Sequence, residues 1–156
     1  MPSRESRVHL VVGSRYENID LVQVVVEESL KQLDLDEDTS HWVGMAVREA
    51  VANAIKHGNL EDPDKKVEID FGLEGDEVII EVQDEGKGFD LAELSDPRAE
   101  ENLLRPHGRG VFYMKSFMDE VDYTFLPAGG TIVTLRKRLE KGGRQAASEV
   151  RDAREH

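Results

Sequence analysis

Glu49 and Asn53 stand four residues apart in the run Glu49-Ala50-Val51-Ala52-Asn53-Ala54-Ile55-Lys56-His57-Gly58-Asn59. On a helix that spacing points both side chains the same way, about one turn apart, so a carboxylate and a neutral amide can serve one ligand together. Magnesium takes few protein ligands and keeps waters or ligand oxygens, so an asparagine oxygen beside phosphates suits it and leaves Glu49 available as a base. Taken alone, the pair favours the blander account of a solvent-facing glutamate and a helix-surface asparagine.

Three further stretches have chemical content. In Asp84-Glu85-Gly86-Lys87-Gly88-Phe89 a strand ends in a carboxylate followed by Gly-x-Gly. The glycines allow close approach of a flat ligand, and the carboxylate can accept a hydrogen bond from an exocyclic amine such as that of adenine. The same residues also make ordinary turns and resemble fragments of calcium loops, whose further acidic ligands are lacking here. Gly108-Arg109-Gly110 opens a helix, where backbone N–H groups, the helix dipole and the Arg109 guanidinium favour an anion. It is neither a Walker A loop nor a dinucleotide fingerprint. Gly129-Gly130-Thr131 enters the last strand and reads as a hairpin turn at least as well as a ligand contact.

The elements that must position these residues follow from periodicity. Arg7 to Gly13 is a β-branched run ended by glycine, a strand without a readable register. Ile19, Val22, Val26, Leu30 and Leu33 recur at helical spacing between Tyr16 and Leu33, with Glu17, Asn18 and Asp20 at the start. After a polar break at Leu35 to Ser40, a central helix runs to Lys56 or His57 and stops at Gly58. Its apolar stripe is Val43, Ala46, Val47, Ala50, Val51, Ala54 and Ile55, with Glu49 and Asn53 beside the stripe. Val67 to Phe71 and Val78 to Val82 flank Glu74-Gly75-Asp76 as a hairpin. Residues 90–107 read as a long loop of the kind used as lids. A helix follows with Val111, Met114, Phe117 and Met118 on one face, then a closing hairpin from Val121 to Leu126 and from Thr131 to Leu135. The order β, α, α, β, β, loop, α, β, β implies an α/β fold, a two-layer α/β sandwich with a mixed, mainly antiparallel sheet covered on one face by helices.

The totals bound the function. With 156 residues and 38% hydrophobic composition, one domain is expected, spanning residues 1–138, with 139–156 a polar, mobile tail. The absence of cysteine removes disulfide scaffolds, cysteine-ligated zinc and thiol nucleophiles. No apolar run approaches the roughly 18 residues of a membrane span and the N-terminus has no apolar signal segment, so a cytoplasmic protein without membrane association is expected. The excess of 33 acidic over 20 basic residues, a net charge of -13, opposes nucleic-acid binding.

Taken together, Glu49-x3-Asn53, Asp84-x-Gly86-x-Gly88, Gly108-x-Gly110 and Gly130-Thr131 resemble, in order and spacing, the N box and the three glycine boxes of the GHKL ATPase superfamily, which includes gyrase B, histidine kinases and MutL. Within it, the short chain, the Glu-Ala-Val-x-Asn-Ala-Ile-x-His-Gly-Asn form of the first box and the Gly108-Arg109-Gly110-Val111-Phe112-Tyr113-Met114 run look like the bacterial anti-sigma factor serine kinases, over residues 6 to 138. The resemblance implies ATP and Mg²⁺ as ligands. Asn53 would chelate the metal and Asp84 would bind the adenine amine, with Gly86 and Gly88 shaping its pocket and Thr131 near the base. Gly108, Arg109 and Gly110 would contact phosphates beneath the lid, with Arg105 and His107 as further phosphate candidates. Glu49 would be the general base toward a seryl hydroxyl. His57, one turn beyond Asn53, either reaches the phosphates or caps helix carbonyls.

The resemblance also implies partners: a sigma factor held inactive, a STAS-domain anti-sigma antagonist as phosphorylation substrate, and a second copy in a homodimer. Two alternatives stay open, a non-catalytic binding module whose shape is set by nucleotide and a histidine-kinase-like ATP-binding domain. No helical segment with a phospho-acceptor histidine precedes the domain, and the presence of Glu49 speaks for catalysis.

Overall fold

The structure, a computed structural model, describes residues 7–86 and 114–139. Strand β1 (Val8–Gly13) is followed by helices α1 (Glu17–Gln32) and α2 (Glu37–Asn53), and α2 continues into a π-helical turn, Ala54–Gly58. Strands β2 (Lys66–Glu74), β3 (Glu77–Gln83), β4 (Glu120–Phe125) and β5 (Thr131–Arg138) complete the order, and residues 114–117 are helical. The strands form one sheet in the order β1-β2-β3-β5-β4, and every neighbouring pair is antiparallel. Among the described residues no helix is long and apolar enough to cross a membrane.

Period-two alternation explains which face of the sheet is covered. Val67, Ile69 and Phe71 of β2, Val78, Ile80 and Val82 of β3, and Val133 and Leu135 of β5 are buried in one core. Against them lie Ile19, Val22, Val26 and Leu30 of α1 and Val43, Ala46, Val47, Ala50 and Val51 of α2. Small residues at 46 and 50 let α2 lie close to the layer beneath it. The register follows from the Gly75-Asp76 turn, which pairs Glu74 with Glu77 and sets Phe71 opposite Ile80, while Ile80 faces Leu135 on its other side. The opposite face carries ion pairs such as Arg136–Glu77 at 2.9 Å and Arg7–Glu74 at 3.0 Å, partly exposed contacts of small energetic weight.

Three details differ from the sequence expectation. The central helix begins at Glu37, inside the segment read as a polar break, because the extended Asp36 is its N-cap. The Asp36 carboxylate accepts from the Thr39 backbone N–H at 2.6 Å, and Glu37 and Asp38 place negative charge at the positive end of the helix dipole. Its far end widens into the π-turn, closed by Asn59 N–H donating to the Ala54 carbonyl at 2.7 Å, where an α-helical stop at Gly58 is expected. Finally, Met114 and Met118 reach the core, but Phe117 is only half-buried and stacks on the exposed Trp42 ring at 4.6 Å. Most of the helix and lid expected between 90 and 113, and residues 140–156, lie outside the described residues.

Phe71, fully buried in mid-sheet, is the largest side chain of this interior. Phe71→Ala is expected to lower the unfolding free energy by about 3–5 kcal/mol. The check is denaturant unfolding, where the midpoint should fall with little change in slope.

Candidate functional site

The site is built where the end of α2 meets the ends of β3 and β5. Antiparallel pairing of β3 with β5 places Asp84, the first residue past β3, beside Thr131, the first of β5. Asp84 N–H donates to the Thr131 carbonyl at 3.0 Å. Asp84 Oδ1 accepts from Gly86 N at 2.9 Å and from Thr131 N at 3.2 Å. Its other oxygen, Oδ2, is buried without a hydrogen-bond partner, as is Thr131 Oγ1 beside it. The Asp84 carboxyl is raised above the ordinary carboxylate value, chiefly by burial, with the Gly86 and Thr131 N–H bonds and Lys65 pulling the other way.

Glycines make this junction possible. A Cβ on Gly58 would lie 2.3 Å from Asp84 Oδ2, and a Cβ on Gly86 would lie 1.9 Å from the Gly58 carbonyl oxygen. The π-turn and the turn after β3 therefore touch backbone to backbone, at a distance that no side chain allows. Gly130, with a φ of +108°, packs against the Asp84 carbonyl from the β5 side.

Asn53 ends the α-helical part of α2, five residues before Gly58. It is 1% exposed, and neither its Oδ1 nor its Nδ2 has a hydrogen-bond partner. This departs from the expectation of a polar position beside the stripe: the amide is turned into the interior. A buried amide left unpaired costs free energy, and such groups cluster where a ligand or ion completes them. Glu49, one turn earlier, is half-buried, and burial raises its carboxyl above the ordinary value while Arg48 and Lys56 oppose the shift. His57 is half-buried on the π-turn. A hard amide oxygen at Asn53 fits a magnesium ligand, and an unpaired buried carboxylate oxygen at Asp84 fits an amine donor. These residues thus suit the groups expected of them.

The structure brings Asp84, Gly86 and Thr131 into one cluster, on the element that carries Glu49, Asn53 and His57. Gly88, Arg105, His107, Gly108, Arg109 and Gly110 lie outside the described residues. Two participants escaped sequence reading. Gly58, expected only to stop a helix, is the surface on which Asp84 and Gly86 pack. Asn59, fully buried, bonds to the turn after β3 through Glu85 N at 2.8 Å. Their sole signal was the His-Gly-Asn ending of the first motif. A cleft of about 320 Å³ lies at the other ends of α2 and β5, lined by Leu35, Trp42, Val43, Phe117 and Leu139, and includes none of the site residues.

Comparison with known proteins bears on this arrangement. Residues 12–137 match the family described as Histidine kinase-like ATPase domain. The chain is 34% identical over 139 residues to the Anti-sigma F factor of Bacillus subtilis, covering 88% of this chain and 95% of that protein. It is 36% identical over 138 residues to the Anti-sigma F factor of Geobacillus kaustophilus, covering 87% and 94%. Among solved structures, the RsbU and RsbW domains of a Mycobacterium tuberculosis protein superpose with a TM-score of 0.64 at 22% identity, over 88% of this chain and 34% of that one. The SiaB-SiaC complex of Pseudomonas aeruginosa gives 0.57 at 14% identity, over 83% and 88%. These two support the two-layer α/β fold.

The raised Glu49 carboxyl has a thermodynamic consequence. Folded Glu49 holds its proton more tightly than the unfolded chain does, so across the window from the ordinary value of 4.5 up to its folded value the folded state binds more protons. Stability contributed by this group therefore falls as pH rises through that window. Glu49→Gln removes the titration, and its Tm relative to wild type should climb as pH rises above the ordinary value of 4.5, by calorimetry. A difference that stays flat over that range would remove the burial cost assigned to Glu49.

Proposed function

The chain belongs to the anti-sigma F factor family of histidine kinase-like ATPases, and on that premise we propose that it is an anti-sigma factor serine kinase. In this proposal it binds Mg-ATP, sequesters a sigma factor, and phosphorylates a serine on a STAS-type antagonist that would otherwise release the sigma factor. It works in the cytoplasm as a homodimer, with residues 1–138 as the kinase domain and 139–156 as a polar tail.

The observation that carries the proposal is the pair of buried, unpaired polar groups along one stretch of helix: Asp84 Oδ2 against Gly58, and the Asn53 amide five residues before it. From Gly58 back to Glu49 the axis rises by roughly 13 Å, the scale of an extended nucleoside triphosphate. A ligand laid along it would have its base at Asp84 and Thr131 and its phosphates toward Asn53 and Glu49. Asp84 Oδ2 accepts from an exocyclic amine, and Thr131 Oγ1 offers a second polar atom beside it. Asn53 Oδ1 would hold the cation, while His57 and, outside the described residues, Arg105, His107, Gly108, Arg109 and Gly110 are assigned to the phosphates. When bound, Mg-ATP supplies the transferable phosphoryl group and the cation that screens its charge. Glu49 takes the proton from the attacking seryl hydroxyl. Its raised carboxyl favours that role, since a base of higher pKa accepts the proton more readily.

Incubation with labelled Mg-ATP and a candidate STAS partner tests the assignment. Wild type is expected to label a partner serine, and Glu49→Gln should slow transfer by about 10²-fold or more while still binding nucleotide. Tight binding without transfer to any partner would instead favour a non-catalytic switch. Asn53→Ala should weaken Mg-ATP binding by about tenfold or more in calorimetry; unchanged affinity would sink the metal assignment.

A further inference from the structure

Asn59 has no part in the chemistry proposed above, yet it is among the most completely used side chains of the described structure. It is fully buried. Nδ2 donates to Ser14 Oγ at 2.8 Å and to the Lys66 carbonyl at 3.0 Å, and Oδ1 accepts from Glu85 N at 2.8 Å. The amide orientation follows from its surroundings, because the reversed amide would set its oxygen against the Lys66 carbonyl and its NH₂ against the Glu85 N–H. Ser14 in turn donates to the Lys65 carbonyl at 2.7 Å, so its oxygen is left to accept from Asn59. One carboxamide thus ties the residue after β1 and the start of β2 to the turn after β3, from its own place at the close of the π-turn.

Of these bonds, only the one from Glu85 N bears on the site. Glu85 lies between Asp84, whose unpaired Oδ2 faces Gly58, and Gly86, whose Cα lies against the Gly58 carbonyl. Gly58 and Asn59 are consecutive. The residue that supplies the packing surface is therefore followed by the residue that holds the turn against it. Hydrogen bonds to a base work within a few tenths of an ångström, so the position of this turn decides whether Asp84 can choose among bases at all.

We propose that Asn59 is the positioning residue of the base pocket: its carboxamide holds the Asp84-Glu85-Gly86 turn on Gly58 and thereby sets selectivity for the base. The proposal rests on the nucleotide-binding assignment above. Ser14 provides the control, because removing its hydroxyl cuts the same network on the side away from the Asp84 turn and leaves the Glu85 bond in place.

The test combines titration calorimetry of ATP and GTP on wild type, Asn59→Ala and Ser14→Ala with amide exchange of Glu85 in the nucleotide-free protein. Asn59→Ala is expected to bind ATP about tenfold more weakly, the scale of one buried hydrogen bond, and to narrow the preference for ATP over GTP. Ser14→Ala should lower Tm yet keep both affinity and preference. The Glu85 amide should be protected in wild type before any ligand is added. A folded Asn59→Ala with wild-type preference, or a Ser14→Ala that loses preference equally, overturns the positioning role. Free exchange of the Glu85 amide in wild type overturns it even where Asn59→Ala does not fold. If that amide is protected and wild type binds neither nucleotide, the nucleotide assignment itself falls, and base selectivity with it, although the hydrogen bond from Glu85 to Asn59 stands.

Discussion

The contact on which the rest depends is the meeting of backbones at Gly58, Gly86 and Gly130. Each lies where an added Cβ would come within 2.5 Å of a neighbouring oxygen. The approach joins three parts of the chain: the end of the second helix, the turn after the third strand, and the entry to the fifth. Sheet order makes it possible, because only a fifth strand inserted beside the third brings Thr131 level with Asp84. The fourth strand is left at the edge, away from the site. The sandwich thus holds one carboxylate, Asp84, against a helix end with one oxygen satisfied and the other buried without a partner.

Keeping such groups costs stability. Asp84 Oδ2, Thr131 Oγ1 and both polar atoms of the Asn53 amide are buried and unpaired, each at an expense of about 1–3 kcal/mol by the usual cost of an orphaned polar group. The chain offsets this with a continuous apolar interior running from Ile19 to Leu135 across both layers. The strained groups and the core meet on the same helix, since Ala50, Val51 and Ala54 interleave with Glu49 and Asn53. A side chain at 53 cannot swing away to solvate itself without disturbing that packing. The helix therefore both anchors the layer and keeps the amide in place.

This explains what could be read from the sequence and what could not. The apolar period of both helices, the hairpin at Gly75 and the order of the four motifs were legible because each is local: spacing of 3.6 or 2, a turn residue, a motif within ten residues. The helix start was missed because Asp36 caps from within a run of five polar residues, Asp36 to Ser40, any of several of which had suitable chemistry. Burial of Asn53 was illegible because periodicity gives a direction about the axis but not how far a neighbouring layer extends over that end of the helix. Asn59 was hidden for a stronger reason. Its three partners, Ser14, Lys66 and Glu85, lie up to 45 residues away, and their meeting is a product of sheet order alone. Gly58 suffers likewise: a glycine after a helix is expected on conformational grounds, and only tertiary contact reveals that the space beside it is needed.

The chain carries a net charge of -13, a negative field over the molecule as a whole. For Glu49, however, the largest cause is burial, and the nearest charges, Arg48 and Lys56, work in the opposite sense. Its basicity is thus local and structural. The same packing that buries Ala46 and Ala50 on either side of it withdraws water from its carboxylate. Exposed charge is screened by salt over about 10 Å, whereas a desolvation shift persists at any ionic strength. A carboxyl shifted by the depth of its helix in the sandwich keeps that shift as the acidic surface gains or loses counterions. The environment of the Glu49 carboxyl is thereby separate from the charge of the surface.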